Sequence, residues 1–210
     1  MPVIGTNAAL PTIVRPSAAR IDREIMTAAL VIIDVQNAIL QGKGVPARQP
    51  VIEAALDETV RRLEALQVKA RAAGVPVIVV QHDDSPGTRL ARGTPGWELR
   101  SEIAPQAGDV LVSKRACDSF FETDLAERLQ ERSVTRLIVG GCMTQFCVDT
   151  TVRRAVSLGY DVTLVADGHM TGDMGGLSFD QIIAHHNATL DGFDAGEHVA
   201  TLRPAHEILF

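Results

Sequence analysis

Two cysteines five residues apart, Cys142 and Cys147, stand in the stretch VGGCMTQFCVDTT (Val139 to Thr151), directly after an apolar run that ends in paired glycines. Three chemistries fit such a pair: a redox couple, half of a metal site, or one nucleophile beside a cysteine that packs. Elsewhere an acid, Asp34, closes the apolar run ALVIID, and a cation, Lys114, closes DVLVSK. An acid, an amine and a thiol meeting at one edge of a sheet would be a nucleophile with its activating partners. Each has a plainer reading. The acid can cap a turn, the lysine can be solvated, and the cysteine can be a small buried hydrophobe. Spacing alone leaves these alternatives open. It does argue against a disulfide couple, because C-x-x-C is absent and positions i and i+5 on a rigid turn place two sulfurs badly.

The elements that must carry these residues alternate along the chain. Ala29 to Asp34 reads as a strand buried on both faces. The stretch Pro50 to Gly74 has Ile52, Leu56, Val60, Leu63 and Leu66 at helical spacing, and Gly74 stops it. Val75 to His82 is a second buried strand and Asp109 to Lys114 a third. TDLAERLQERS reads as a short amphipathic helix and VTRLIVGG as a fourth strand. The spacing predicts one helix over Thr144 to Gly159, with Thr144 as its cap. A fifth strand follows over Tyr160 to Asp167, then a last helix within LSFDQIIAHHNATLDGF. Strands alternating with helices predict a doubly wound α/β fold, a mostly parallel sheet with helices on both faces. Residues 1–22 read as an N-terminal arm and 23–210 as one domain. The segment Asp83 to Gly108, rich in Gly, Pro and Arg, is a candidate lid or binding loop.

The whole composition excludes several function classes. The chain has 210 residues, 46% of them hydrophobic, and a net charge of −6. It has no basic footprint and only one Trp, one Tyr and six Phe, so no nucleic-acid partner is expected. Its apolar runs fall far short of a membrane span, and the first residues lack the pattern of a signal peptide. A soluble cytoplasmic protein is expected. Three cysteines do not make a disulfide framework.

The stretch VGGCMTQFCVDTTVRRAVSLGYDVTLVADG resembles the G-x-x-T-x-x-C-V signature of the isochorismatase-like cysteine hydrolases, with the downstream residues of that signature following. LVIIDVQNAIL is similar to that family's first strand, whose acid falls on Asp34, and VSKRACDSFFETDL to the block whose lysine falls on Lys114. The resemblance runs from about residue 28 to residue 193. It implies Cys147 as nucleophile, Lys114 as an ammonium that stabilises charge, and Asp34 as general base and then acid. It also implies a non-proline cis peptide between Cys142 and Met143, with the backbone N–H groups of Met143 and Cys147 as the oxyanion hole. The start of a helix would favour the thiolate of Cys147.

Relatives that cleave isochorismate lack this cysteine, so the resemblance favours amide, ureide or lactam hydrolysis, with water as second substrate. The nicotinamidase branch binds a metal through D-x-H after the first helix; here no histidine precedes His82. No metal and no other cofactor are expected. Isochorismatase-type or nicotinamidase-type hydrolysis is the alternative within the family. Outside it stand a non-catalytic binding protein and a thiol redox protein using Cys142 and Cys147. Gln36, Asn37, His82, Trp97 and Phe120 are candidate substrate contacts, each with a structural alternative. Arg89 and Arg92 could meet a carboxylate. Cys117 reads as structural. Family members are usually dimers or tetramers, so a homodimer or homotetramer is expected.

Overall fold

The run TAALVII sends alternate side chains into two apolar layers, which is what a strand at the centre of a covered parallel sheet must do. In the computed structural model, which describes residues 27–210, this run is strand β1 (Thr27–Ile33). The arm expected at residues 1–22 lies outside the described residues. Ala28, Leu30 and Ile32 join one core layer, and Ala29, Val31 and Ile33 join the other. The remaining strands are β2 (Val77–His82), β3 (Val110–Lys114), β4 (Val134–Cys142), β5 (Asp161–Met170), β6 (Asp194–Ala195) and β7 (His198–Arg203). They form one seven-stranded sheet in the order β3-β2-β1-β4-β5-β7-β6. All pairs are parallel except β6 with β7.

Helix α1 (Gln49–Ala72) lays Ile52, Leu56, Val60, Leu63 and Leu66 on the first layer. Helices α2 (Leu125–Gln130) and α3 (Asp149–Ser157) cover the second, through Leu125, Leu129, Val152 and Val156. Helix α4 (Phe179–Leu190) opens with a capping box at Ser178 and Gln181, and gives Phe179 and Ile182 to the first layer and Leu190 to the second. The doubly wound α/β reading holds. No helix among the described residues is long and apolar enough to cross a membrane.

The strand order dictates where a ligand can enter. The chain leaves β1 on one side for β2 and β3, then returns on the other side for β4 and β5. The crevice at such a reversal, at the carboxyl ends of the strands, is where open parallel sheets bind ligands. The register sets Ile33 beside both Val80 and Gly141, and His82 beside Lys114, so the ends of β1 to β4 come level.

Two glycines allow that crevice to close. Gly141 has φ 126, and a Cβ there would overlap the backbone of Ile33, including its carbonyl oxygen. A Cβ on Gly140 would lie 2.6 Å from the Gly168 carbonyl oxygen and 2.6 Å from Leu63 of α1. The paired glycines therefore let β1, β5 and α1 press against the end of β4.

Three local expectations change. The single helix expected over Thr144 to Gly159 is a π-helical turn at Thr144–Val148 followed by α3. Thr144 is not a cap, because its hydroxyl is bonded to His169 instead. Strand β5 runs on to Met170, with a register shift opposite Val139 and Gly141 that inserts extra residues into β5. Strands β6 and β7 were not foreseen.

Replacing Gly141 by alanine should cost about 3 kcal/mol or more, since the nearest obstacle is backbone rather than a movable side chain. Gly42→Ala, at φ 68 with open space around it, should cost only about 1 kcal/mol. Urea denaturation of the two variants measures the contrast; equal losses would contradict the close approach of β4 and β1.

Candidate active site

Asp34 follows β1 with φ 52, a left-handed conformation that aspartate tolerates better than most side chains. Its N–H donates to the Val80 carbonyl at 2.9 Å, which ties the turn to β2. Lys114 closes β3, two strands away, and its side chain crosses above the end of β2. Its Nζ lies 2.6 Å from Asp34 Oδ2 and donates to the Ala116 carbonyl at 2.9 Å. The pair is sealed from water, with Asp34 0% and Lys114 2% exposed. Asp34 Oδ1 accepts no hydrogen bond among the described residues.

Cys147 sits in the π-helical turn beyond β4, 8% exposed and lying against both charges. Burial pushes its thiol well above the usual cysteine range. The Asp34 carboxylate pushes the same way, and Lys114 only partly opposes them. Burial and Asp34 thus act against the thiolate that a helix N-terminus would favour. Burial pulls Lys114 down, but its Asp34 and Cys147 partners outweigh that and hold it above its ordinary value, as an ammonium. Cys142 and Cys147 are both free, and burial also raises the Cys142 thiol.

The turn between them has the form the resemblance implied. The Cys142–Met143 peptide is cis. The N–H groups on either side of Cys147, those of Phe146 and Val148, both donate to the Met143 carbonyl, at 3.0 and 3.3 Å. The Cys147 N–H between them does not share that acceptor.

Behind the turn runs a hydrogen-bonded chain that sequence reasoning missed. Thr144 Oγ1 lies 2.9 Å from His169 Nδ1, and His169 Nε2 lies 2.8 Å from Asn187 Oδ1. Asn187 Nδ2 donates to the Ala166 carbonyl at 3.0 Å, which fixes the amide with its oxygen toward the ring. His169 therefore carries its proton on Nε2, and Nδ1 accepts from the Thr144 hydroxyl. Burial lowers the His169 pKa to about 4, so the ring is neutral. A second link joins Thr151 of α3 to Ser119, hydroxyl to hydroxyl at 2.9 Å. The only signal for either link was the threonines of the Cys147 motif.

The other candidate contacts are distributed differently from expectation. Gln36 is fully buried, and its amide is committed to the fold. Nε2 donates to the His82 and Trp97 carbonyls at 2.9 and 2.8 Å, and Oε1 accepts from the His82 N–H at 3.1 Å. Asn37 donates to the Pro95 carbonyl at 3.0 Å and fastens the 83–108 loop. Trp97 is an anchor of that loop: its indole N–H donates to Asp83 Oδ1 at 2.6 Å. Arg92 completes this anchor, 3.0 Å from Asp83 Oδ2, and Arg89 donates to the Ala38 carbonyl at 2.8 Å. Phe120 stacks on Tyr160 at 5.9 Å between ring centroids, against the second core layer. Its neighbour Phe121, 55% exposed, lines a cavity instead. That cavity, about 300 Å³, is bounded by Asp83, Ser113, Lys114, Arg115, Phe121 and Glu122 and reaches the cluster at Lys114. His82 is neutral, its pKa lowered chiefly by burial, and its Nδ1 is buried without a partner among the described residues. Among the described residues no group of three or more His, Cys, Asp or Glu side chains is placed to hold a metal ion.

A parallel α/β sheet with a thiol, a carboxylate and an ammonium gathered at its switch point is an arrangement in which a cysteine can serve as a nucleophile. The sequence pattern of the isochorismatase domain matches residues 28–199, and the chain belongs to that family. It is 37% identical over 147 residues to a streptothricin hydrolase of Streptomyces noursei, a match covering 70% of this chain and 50% of that protein. The chain thus spans about half the length of that relative. It is 33% identical to the ureidoacrylate amidohydrolase RutB of Stutzerimonas stutzeri, covering 69% of this chain and 70% of that one. Among solved structures, an isochorismatase from Pseudomonas putida superposes with a TM-score of 0.76 at 31% identity, covering 88% of this chain and 91% of its own.

Two outcomes follow from the electrostatics. The rate of Cys147 alkylation by iodoacetamide, followed by peptide mass spectrometry, should climb through pH 9 without a plateau near neutrality; an early plateau would show a preformed thiolate. His169 has a folded pKa below its unfolded value near 6.5, so its contribution to stability is complete above about pH 6.5 and is lost as pH falls toward about 4. Urea midpoints over that window should fall more steeply in the native protein than in His169→Gln. Parallel curves would place the ring in a different protonation state.

Proposed function

We propose that the protein is a cysteine hydrolase of carbon–nitrogen bonds in small non-peptide amides, ureides or lactams. The observation that carries this reading is the buried Asp34–Lys114 pair with the Cys147 thiol against it. Three polar groups from three different strand ends, withdrawn from water together, have no packing rationale, since burying charges costs several kcal/mol per ion.

The arrangement supports a two-stage acyl transfer. Substrate carbonyl oxygen binds at the Met143 and Cys147 N–H groups. Cys147 Sγ attacks the carbonyl carbon while its proton passes to Asp34, whose free Oδ1 can accept it. The carbon–nitrogen bond breaks as Asp34 returns that proton to the departing nitrogen, leaving an acyl-thiol. Water, deprotonated by Asp34, then attacks the acyl-thiol and releases the acid and the thiol. Lys114 stays an ammonium throughout. Lying against Cys147, it offsets the charge that develops on sulfur. Each lost oxyanion donor in such a site typically costs about 3–4 kcal/mol of transition-state stabilisation. The relatives named as a streptothricin hydrolase and a ureidoacrylate amidohydrolase support an amide or ureide as the substrate class.

The test is an ammonia-release screen over ureides, carbamoyl amino acids, maleamate-like acids and nicotinamide, with lactams followed by mass spectrometry because their opening frees a tethered amine and no ammonia. On the best substrate, Cys147→Ala and Cys147→Ser should lose at least about a thousandfold in kcat while circular dichroism and the thermal midpoint show an intact fold. Turnover retained in Cys147→Ala would remove the nucleophile assignment.

A further inference from the structure

We infer that His169, held by Asn187 as its Nε2–H tautomer, is a positioning residue that fixes the oxyanion turn through the Thr144 hydroxyl. The inference rests on the acyl-transfer reading above and adds to it a support, His169 and Asn187, that lies behind the motif threonine.

The geometry admits one pattern of donors and acceptors. Asn187 Nδ2 is spent on the Ala166 carbonyl at 3.0 Å, so its oxygen faces the ring and requires a proton on His169 Nε2. Nδ1 is then bare and takes the Thr144 hydroxyl proton at 2.9 Å. Thr144 and His169 are 0% and 1% exposed, so water does not compete for either group. A single hydrogen-bonding solution in a dry site means a single orientation for the Thr144 side chain. Thr144 begins the turn that contains Cys147, three residues on, and directly follows Met143, the other proposed donor. The ring reaches it because of the register shift in β5, where Gly141 pairs with His169 rather than continuing the run from Leu164. Apolar side chains of similar size would fill this space without the cost of burying an imidazole and a hydroxyl. The polar chain therefore secures an orientation rather than bulk packing. His169 does not line the cavity beside Lys114.

The test uses p-nitrophenyl acetate as the acyl donor, with nitrophenolate release read against Cys147→Ala as blank. Iodoacetamide alkylation at Cys147, followed by mass spectrometry, is the control, since that displacement forms no oxyanion. Thr144→Val and Asn187→Ala should each lower the Cys147-dependent ester rate about tenfold, corresponding to loss of one hydrogen bond's worth of orientation. Their alkylation rates should change less than about twofold, and the double variant should be no slower than the slower single. Thr144→Ser, which keeps the hydroxyl, should restore most of the rate. If Asn187→Ala does not fold, the Thr144→Val and Thr144→Ser pair carries the comparison alone. The inference is overturned if ester and alkylation rates fall together, if the ester rate is unchanged, or if the two losses multiply in the double variant. An ester rate equal in Cys147→Ala and the native protein signals a separate failure, that of the nucleophile itself.

Discussion

The constraint on which the rest of the structure depends is the burial of two opposite charges at the edge of a sheet. Asp34 and Lys114 come from β1 and β3, which are separated by β2, so a side chain as long as lysine must bridge about two strand spacings, roughly 10 Å. The bridge forms only because the ends of the three strands are level. It survives only because water is kept out, since an exposed pair would contribute little and an unpaired buried charge would cost several kcal/mol. The 83–108 loop is fastened beside the pair, where the Asp83 N–H donates to the Lys114 carbonyl at 2.8 Å. Gln36 and Gln81 both grip the Trp97 carbonyl, and the Trp97 ring is fixed to Asp83. Residues that look on paper like substrate contacts are therefore the fastenings of this loop.

On the other side of β1 the demand is steric. The turn that carries Cys147 must approach Asp34 closely, and it does so where β4 has no side chains. Gly141 lets backbone pass backbone at Ile33, and Gly140 leaves room for Leu63 and the Gly168 carbonyl. The core and the site are thus joined at single residues. Leu63 belongs to the main stripe of α1 and also bears on the floor beneath the turn. A repacked core at this point would move the proposed donors, and displacements near 1 Å are enough to cost a reaction of this kind about a hundredfold.

Much of this was legible in the sequence, and the boundary is physical. Strand and helix order followed from buried apolar runs and helical spacing, because those patterns are local. Asp34, Lys114 and Cys147 could be picked out because each ends or follows an apolar run, and the parallel sheet brings such ends together. What stayed hidden were partners chosen over long separations. Thr144 reads locally as a cap, and only the folded chain reveals His169 as the acceptor of its hydroxyl proton. Phe120 and Phe121 are indistinguishable by type, and the backbone decides which one meets Tyr160. β7 was invisible because HVATLR is only partly buried and carries no clear alternation. The environment of the Cys147 thiol stayed hidden for a related reason. A helix N-terminus is readable from sequence, whereas the balance between burial, Asp34 and Lys114 requires knowing how dry the thiol is.

That balance bears on the chemistry in a way a preformed thiolate would not. An amide nitrogen leaves poorly unless it is protonated, so the reaction needs a proton in the right place as much as it needs a nucleophile. A thiolate formed in advance would have released its proton before substrate arrived, and the proton could be lost to solvent. In the proposed reaction the proton remains on Cys147 until attack, and the Asp34 carboxylate lies against that thiol to receive it. The proton removed from the thiol is then held by the carboxylate at the moment the leaving nitrogen needs it. Lys114 supports this without taking part in the transfer, since its ammonium lies 2.6 Å from the carboxylate and offsets negative charge that gathers there on attack.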